Sequence, residues 1–336
     1  MTTATLERPP LPNKEMERPP DRLVRPHQGS QEQFILTGSR RPDESPKYCD
    51  VAGDGGKAGV GKTWALLFEP LRHVYNPRFS GVIFRRTYPQ IKNEGALWDT
   101  SCELYPLYGG RPRQSDLEWI FPSGATIRFV HMEHEDDRFN WDGAQVPYIA
   151  FDQLEHFTRK QFFYMLSRMR STCGVRPYLR FTCNPDPKHF LRKFLGWYIG
   201  KDGYADESRN GQRRFFVTQG DDIEWSDDHD ELWLQTGLKP LSFAFFSGHL
   251  EDNLALMEKN PQYINMLRAL PRVERLRLLG GNWDVDYEAG DYFQKEWFSV
   301  VRVAPQFIDC VRYWDRAGTA AKDAKETGSW TAGVKI

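Results

Sequence analysis

Apolar and polar positions along the chain fall into short blocks that alternate between two periods. The block Tyr48-Cys49-Asp50-Val51-Ala52-Gly53 predicts a strand, and the mostly apolar block Trp64-Ala65-Leu66-Leu67-Phe68 opens a helix; glycine dominates the segment between them. Further strands are predicted over residues 80–85, 147–152, 178–182 and 242–246. Residues 117–121 and 125–130 flank Pro122-Ser123-Gly124 and predict a hairpin, and residues 89–105 predict one helix. A second helix is set by the capping box Thr158-Arg159-Lys160-Gln161, with Phe157 and Phe162 at the staple positions. The strand over 178–182 breaks at Asn184-Pro185-Asp186-Pro187, and residues 253–279 form short helices punctuated by Pro261 and Pro271 and closed by Gly280-Gly281. Strands alternating with helices predict an α/β fold, a mostly parallel sheet with helices on both faces.

Order is expected to begin near Gln31. Residues 1–29 carry Arg8-Pro9-Pro10 and Arg18-Pro19-Pro20 and no aromatic side chain, so they predict a disordered arm. The length of 336 residues suggests about two domains. The formal charge of −1 excludes a uniformly basic nucleic-acid coat, while leaving local basic patches open, such as Lys188, Arg192 and Lys193. The five cysteines (49, 102, 173, 183, 310) include no C-x-x-C pair and read as reduced thiols of a cytosolic protein. No apolar run approaches the ~18 residues of a membrane span. The acid-rich stretch 221–230 lacks EF-hand spacing and is expected to be a solvated loop; His131-Met132-Glu133-His134 is not a zinc-protease motif and is read as polar residues at a strand end.

The candidate chemistry begins at Gly56-Lys57-Ala58-Gly59-Val60-Gly61-Lys62-Thr63, which matches G-x-x-x-x-G-K-[ST] in its required setting of strand, glycine turn and helix. Gly56, Gly59 and Gly61 let the backbone N–H groups wrap phosphates, Lys57 lies inside the loop, Lys62 is placed to reach the β- and γ-phosphates, and Thr63 to ligate Mg²⁺. ATP and Mg²⁺ are therefore the expected ligands. Asp152 ends an apolar strand and is the expected outer ligand of the ion. Many ATPases place a glutamate next to that aspartate; here the neighbour is Gln153, with Glu155 two residues on. Were the chain to stay extended, Glu155 would lie ~7 Å beyond Gln153. Three readings stay open: Glu155 bends back as the base, Gln153 orients the water, or hydrolysis is impaired. Thr182-Cys183-Asn184, at the end of the next strand, reads either as a sensor of the γ-phosphate or as a plain Asn-Pro turn. Arg85, Arg86, Arg138, Arg168 and Arg170 are candidate finger or DNA-contact residues.

Taken in order, these motifs resemble the large terminase subunit of tailed bacteriophages, the motor that packages DNA. The resemblance runs from about Gln31 to the C-terminus. It also rests on Phe84-Arg85-Arg86-Thr87-Tyr88-Pro89-Gln90, Phe151-Asp152-Gln153-Leu154-Glu155-His156-Phe157, Thr182-Cys183-Asn184-Pro185-Asp186 and Leu278-Leu279-Gly280-Gly281-Asn282-Trp283. It implies a P-loop ATPase domain of the ASCE, RecA-like class over 30–290, a linker over 291–308, and over 309–336 the first strands of an RNase H-like nuclease. It implies that Gln31 or Gln33 senses adenine, that Asn184 belongs to the coupling motif, and that Arg138 is the candidate finger reaching a neighbouring subunit. The implied partners are double-stranded DNA, a portal protein and a small terminase subunit. The implied working form is a homo-oligomeric ring in the host cytoplasm, with no membrane. Two departures stand out: Ala58 lies where the family often has an arginine, and Asp-Gln replaces Asp-Glu. Residues 310–315 resemble the first nuclease strand, ending in the metal-binding Asp315, and residues 329–336 the second. Two-metal cleavage needs several carboxylates, so nuclease activity is expected to be absent from the chain as it stands. The rival readings are another P-loop enzyme, such as a helicase or nucleotide kinase, and a nucleotide-binding assembly subunit impaired in hydrolysis.

Overall fold

The computed structural model describes residues 24–38 and 48–286 and two short strands, 312–315 and 332–335. Most of the expected arm, up to residue 23, and the expected linker 291–308 lie outside the described residues. Two compact units divide the chain, 1–286 and 287–336.

In the first unit the strands are β1 (Val51–Gly56), β2 (Ser80–Arg85), β3 (Arg111–Arg113), β4 (Glu118–Ile120), β5 (Thr126–His131), β6 (Tyr148–Phe151), β7 (Tyr178–Cys183), β8 (Arg214–Gln219), β9 (Asp222–Ser226) and β10 (Leu241–Gly248). They form one sheet in the order β3-β4-β5-β2-β6-β7-β1-β10-β8-β9. From β5 to β10 every pairing is parallel; the antiparallel strands β3-β4 and β8-β9 extend its two edges. Strand β1 is therefore central, and all six of its residues are buried.

The helices are α1 (Ser30–Leu36), α2 (Lys62–Phe68), α3 (Tyr88–Lys92), α4 (Leu97–Leu104), α5 (Arg159–Leu166), α6 (Phe190–Phe194), α7 (His229–Thr236), α8 (Leu254–Lys259), α9 (Tyr263–Arg268) and α10 (Arg272–Leu278). Alternation along the central strands divides the core between the two sheet faces. Ala52 and Tyr178 pack with Phe34, Leu66, Leu67 and Tyr105, on the face covered by α1, α2 and α4. Val51, Leu179, Phe181 and Phe243 pack with Phe162 and Phe194, on the face covered by α5 and α6. The α5 cap forms as its sequence dictates: Thr158 accepts from the Gln161 amide, and the Gln161 side chain accepts from the Thr158 amide. The flanking Phe157 and Phe162 both pack on Phe151.

Three expectations need correction. The predicted helix over 89–105 is two helices, because Asn93-Glu94-Gly95-Ala96 interrupts it with Gly95 at φ +71°. Strand β1 starts later than its apolar block and runs into the loop glycines. The acid-rich stretch 221–230 is not a loop. It is β9, paired with β8 around the tight turn Gly220-Asp221, followed by the first turn of α7, whose Asp228 side chain accepts from the amides of Asp230 and Glu231. Its acids stay largely exposed while Phe216 and Val217 of β8 carry the burial, so composition hid the pairing.

In the second unit β11 (Arg312–Asp315) and β12 (Ala332–Lys335) pair antiparallel, with Asp315 opposite Ala332.

Candidate functional site

Strand β1 delivers the chain into a loop that only glycine can trace. Gly56, Gly59 and Gly61 have φ of +99°, +77° and +87°, in the region that penalises any side chain. Space is tight as well, against side-chain ends that would have to move. A Cβ on Gly59 would lie 2.6 Å from Tyr263, and one on Gly61 would lie 2.2 Å from Gln31 Nε2. Gly61 then caps α2, which begins at Lys62.

The Lys62 ammonium donates to the backbone oxygens of Lys57 (2.6 Å) and Gly56 (3.3 Å) and to Asn184 Oδ1 (3.0 Å). The Asn184 amide in turn donates to Glu155 Oε1 at 2.7 Å. One residue along α2, Thr63 Oγ1 donates to Asp152 Oδ1 at 3.0 Å, and Thr182 Oγ1 donates to the same oxygen at 2.6 Å. The parallel registers of β6, β7 and β1 explain the convergence, since Phe151 lies opposite Phe181 and Asp54 opposite Thr182. These strands therefore present Asp152, Thr182 and the loop at one edge of the sheet. A hydroxyl and a carboxylate oxygen 3.0 Å apart are hard oxygen donors that fit Mg²⁺.

The chain does not stay extended after Asp152. Gln153 takes left-handed backbone, φ +59° and ψ +65°, and residues Leu154–His156 form a 3-10 turn. That turn swings Glu155 back onto Asn184 and replaces the ~7 Å offset of an extended chain. The residue is only half-buried, but its Oε2 is closed off from solvent and has no donor. Burial pushes the Glu155 carboxyl up to about 7, against the opposing pull of its Asn184 hydrogen bonds and of Lys62.

Helices α8–α10 form a further wall. Asn253 Nδ2 donates to Gly59 O at 2.7 Å, the Ala58 amide donates to Leu278 O at 2.7 Å, and Arg277 donates to Pro185 O at 2.6 Å. Between wall and loop lies a cavity of about 430 Å³, into which Lys62, Thr63, Gln153, Thr182, Asn184 and Tyr263 face.

Residues 55–300 match the family described as terminase large subunit, T4likevirus-type, N-terminal. The chain belongs to the large-terminase family. No curated protein matches it in sequence. Among solved structures, the large terminase of a thermophilic bacteriophage is similar at TM-score 0.50 and 16% identity, covering 77% of this chain and 54% of that one. The same thermophilic-phage protein in complex with ADP is similar at TM-score 0.49 and 15% identity, covering 76% and 53%. The ATPase domain of the Thermus phage P74-26 large terminase is similar at TM-score 0.42 and 12% identity, covering 77% and 100%. The chain thus spans about half the length of the first of these proteins.

This large-terminase chain does not gather every expected residue at the loop. Gln31 is there: its Nε2 donates to Gly61 O (3.0 Å) and Val60 O (3.4 Å), and its Oε1 accepts from the His27 amide. Gln33 is exposed and lines a separate hollow with Thr37 and Asn210. Lys57 turns outward to His249 Nδ1 at 2.9 Å, and His249 Nε2 meets Glu207. Arg138 lies in the 3-10 segment Glu135–Trp141, paired with Asp136 and Glu135 and stacked on Phe139. In the basic patch, Arg192 pairs with Asp284 and Lys188 with Asp286. Asp315 ends β11 of the second unit. Sequence reasoning missed Asn253 and Tyr263, which reach the loop from far along the chain (194 residues for Asn253) with no local signal, and it missed the role of Arg85. That arginine ends β2 and sets its Nε 3.1 Å from Asp152 Oδ2.

Proposed function

We propose that the first unit is an ATPase that binds ATP with Mg²⁺ in the cavity beside the glycine loop and hydrolyses it to drive double-stranded DNA. The observation that carries this reading is the unbroken chain Lys62–Asn184–Glu155, which links the phosphate-binding ammonium to a buried carboxyl of raised proton affinity. In it, Lys62 and the loop amides hold the phosphates, and Thr63 and Asp152 hold Mg²⁺, which supplies charge neutralisation when bound. Gln31 braces the loop backbone on the side where adenine is expected.

Glu155 is the general base. The attacking water's oxygen bonds to the γ-phosphorus as the bond to the ADP oxygen breaks, and the water's proton passes to Glu155. Three things favour Glu155 over Gln153 in this role. Its Oε1 is fixed by Asn184, its Oε2 has no donor, and its proton affinity is matched to neutral pH. Gln153 lines the cavity and orients the water. Asn184 touches both Lys62 and Glu155, so loss of the γ-phosphate is felt by both at one amide, and Arg277 on Pro185 O carries the change to α10. Membership of the large-terminase family supports a ring acting on DNA with a portal protein and a small terminase subunit, and Arg138 as the residue offered to the neighbouring copy.

ATP turnover with and without double-stranded DNA tests this. DNA-stimulated hydrolysis without strand separation is expected. Strand separation would favour a helicase, and ATP that stays bound and intact over hours with DNA present would favour the hydrolysis-impaired assembly subunit.

A further inference from the structure

Strand β1 carries one acid that the proposed chemistry does not use. Asp54 is fully buried, and neither carboxylate oxygen has a hydrogen-bond donor. Its neighbours in β1 are Ala52, Gly53, Gly55 and Gly56, so packing alone does not call for an acid there. A buried carboxylate without a partner is among the costlier groups a fold can carry.

Its placement is specific. Glycines 53 and 55 face Phe181 and Phe245, on the side of the sheet covered by α5 and α6. Asp54 shares the opposite face with Ala52, the face covered by α2. It stands between Thr182 of β7 and Phe246 of β10, two residues before the loop. Among the described residues, the Lys62 ammonium acts on its charge, and that charge is felt in turn by the Cys183 thiol on β7. Lys62 meanwhile spends its donors on two loop carbonyls and Asn184, which are neutral groups.

We propose that Asp54 is a positioning residue that sets how firmly Lys62 grips a nucleotide phosphate: an acid sealed beneath the loop competes for the same ammonium and favours release of the spent nucleotide. This rests on the reading that a nucleotide binds at Lys62. A negative charge behind the loop repels phosphate directly and draws the ammonium back from it, so both effects weaken binding. Burial raises the Asp54 carboxyl to about 7, so the opposing charge is present above neutral pH and absent well below it.

The test is ADP affinity and release rate at about pH 8 for the full chain and for Asp54→Asn, which removes the charge and keeps the shape. Asp54→Asn is expected to bind ADP about five- to fiftyfold tighter, mainly through slower release, the size of effect one unit charge has roughly 7–17 Å away at an effective dielectric near 20. The ratio between the two proteins should shrink toward one near pH 5.5, where the carboxyl carries its proton, and should be smaller in a Lys62→Ala background, where only the direct repulsion remains. Glu155 is common to both proteins and cancels from the ratio. Asp54→Ser and thermal melts guard against a folding artefact, and loss of folding in both variants assigns Asp54 a structural role and overturns the proposal. Wild-type binding with equal or weaker affinity in Asp54→Asn overturns it alone, whereas wild-type protein that takes up no ADP overturns the nucleotide reading and this inference with it.

Discussion

Glu155 Oε1 accepts a 2.7 Å hydrogen bond from the Asn184 amide, whose oxygen receives the Lys62 ammonium at 3.0 Å. A single side chain thus connects the ammonium proposed to bind phosphate to the carboxyl proposed to take the proton. Replacing Glu155 by Gln keeps the shape and the Asn184 contact but removes the proposed base. It is expected to lower kcat for ATP by about 10²–10⁴-fold with little change in KM, and Gln153→Glu is not expected to restore it. Recovery of turnover in the double variant would move the base to position 153.

The same carboxyl predicts a pH profile. A base works when ionised, and Glu155 ionises at about 7 rather than in the usual carboxylate range. Wild-type kcat is therefore expected to rise as pH increases from 6 to 8, with an inflection near 7, and Glu155→Gln should lack that inflection. A profile already flat above about pH 5.5 would mean that Glu155 is not the group being titrated.

Thr63 and Asp152 share a hydrogen bond at 3.0 Å, with Arg85 on the far carboxylate oxygen. Thr63→Val and Asp152→Asn are each expected to raise the Mg²⁺ concentration needed for half-maximal ATP binding by tenfold or so, while a Mg²⁺ titration of Arg85→Lys should change less, since the cation is retained. Unchanged Mg²⁺ dependence in both of the first two variants would place the ion elsewhere.

How much of this was legible in the sequence follows from the range of the forces involved. The glycine loop, Lys62 and Thr63 form one local motif, and the cap that starts α5 is local too, so both were readable. Asp152 was readable because an apolar strand that ends in an acid points to a sheet edge. The turn at Gln153 was not, because a non-glycine residue in left-handed backbone leaves no compositional mark. Nor was the wall made by Asn253, Tyr263 and Leu278, or the Arg85–Asp152 pair, since tertiary packing alone brings them together. The pairing of β8 with β9 was hidden for a different reason: β9 buries little, and its acids read as solvent-facing loop.

Gly61 tests the loop from its backbone. A methyl group there would sit 2.2 Å from Gln31 Nε2 at φ +87°. Gly61→Ala is expected to cost roughly 1–3 kcal/mol in denaturant unfolding and to abolish ATP binding. Adding Gln31→Ala removes the clash but not the backbone strain, so stability should recover only in part. Full recovery would show that sterics, and not the left-handed backbone, exclude alanine.

Asp54 makes stability depend on pH. Folding raises its proton affinity from the ordinary 3.8 to about 7, so its contribution is whole below about pH 4 and is lost as pH rises through 7. Wild-type unfolding free energy is expected to fall between about pH 5 and 8 by on the order of 3 kcal/mol from this group, and Asp54→Asn should remove that share of the slope. Parallel curves for the two proteins, followed by urea unfolding, would contradict the assignment.

Every proposed role at the loop depends on a triphosphate held by Lys62. Equilibrium binding of ATP with Mg²⁺ to wild-type and Lys62→Ala protein tests this most directly. Saturable one-to-one binding by the wild type and a loss of a hundredfold or so in the variant are the predicted results, the size expected when the phosphate's charge-assisted contact is removed. Equal affinity in the two proteins, or no uptake of ATP by the wild type, would contradict it.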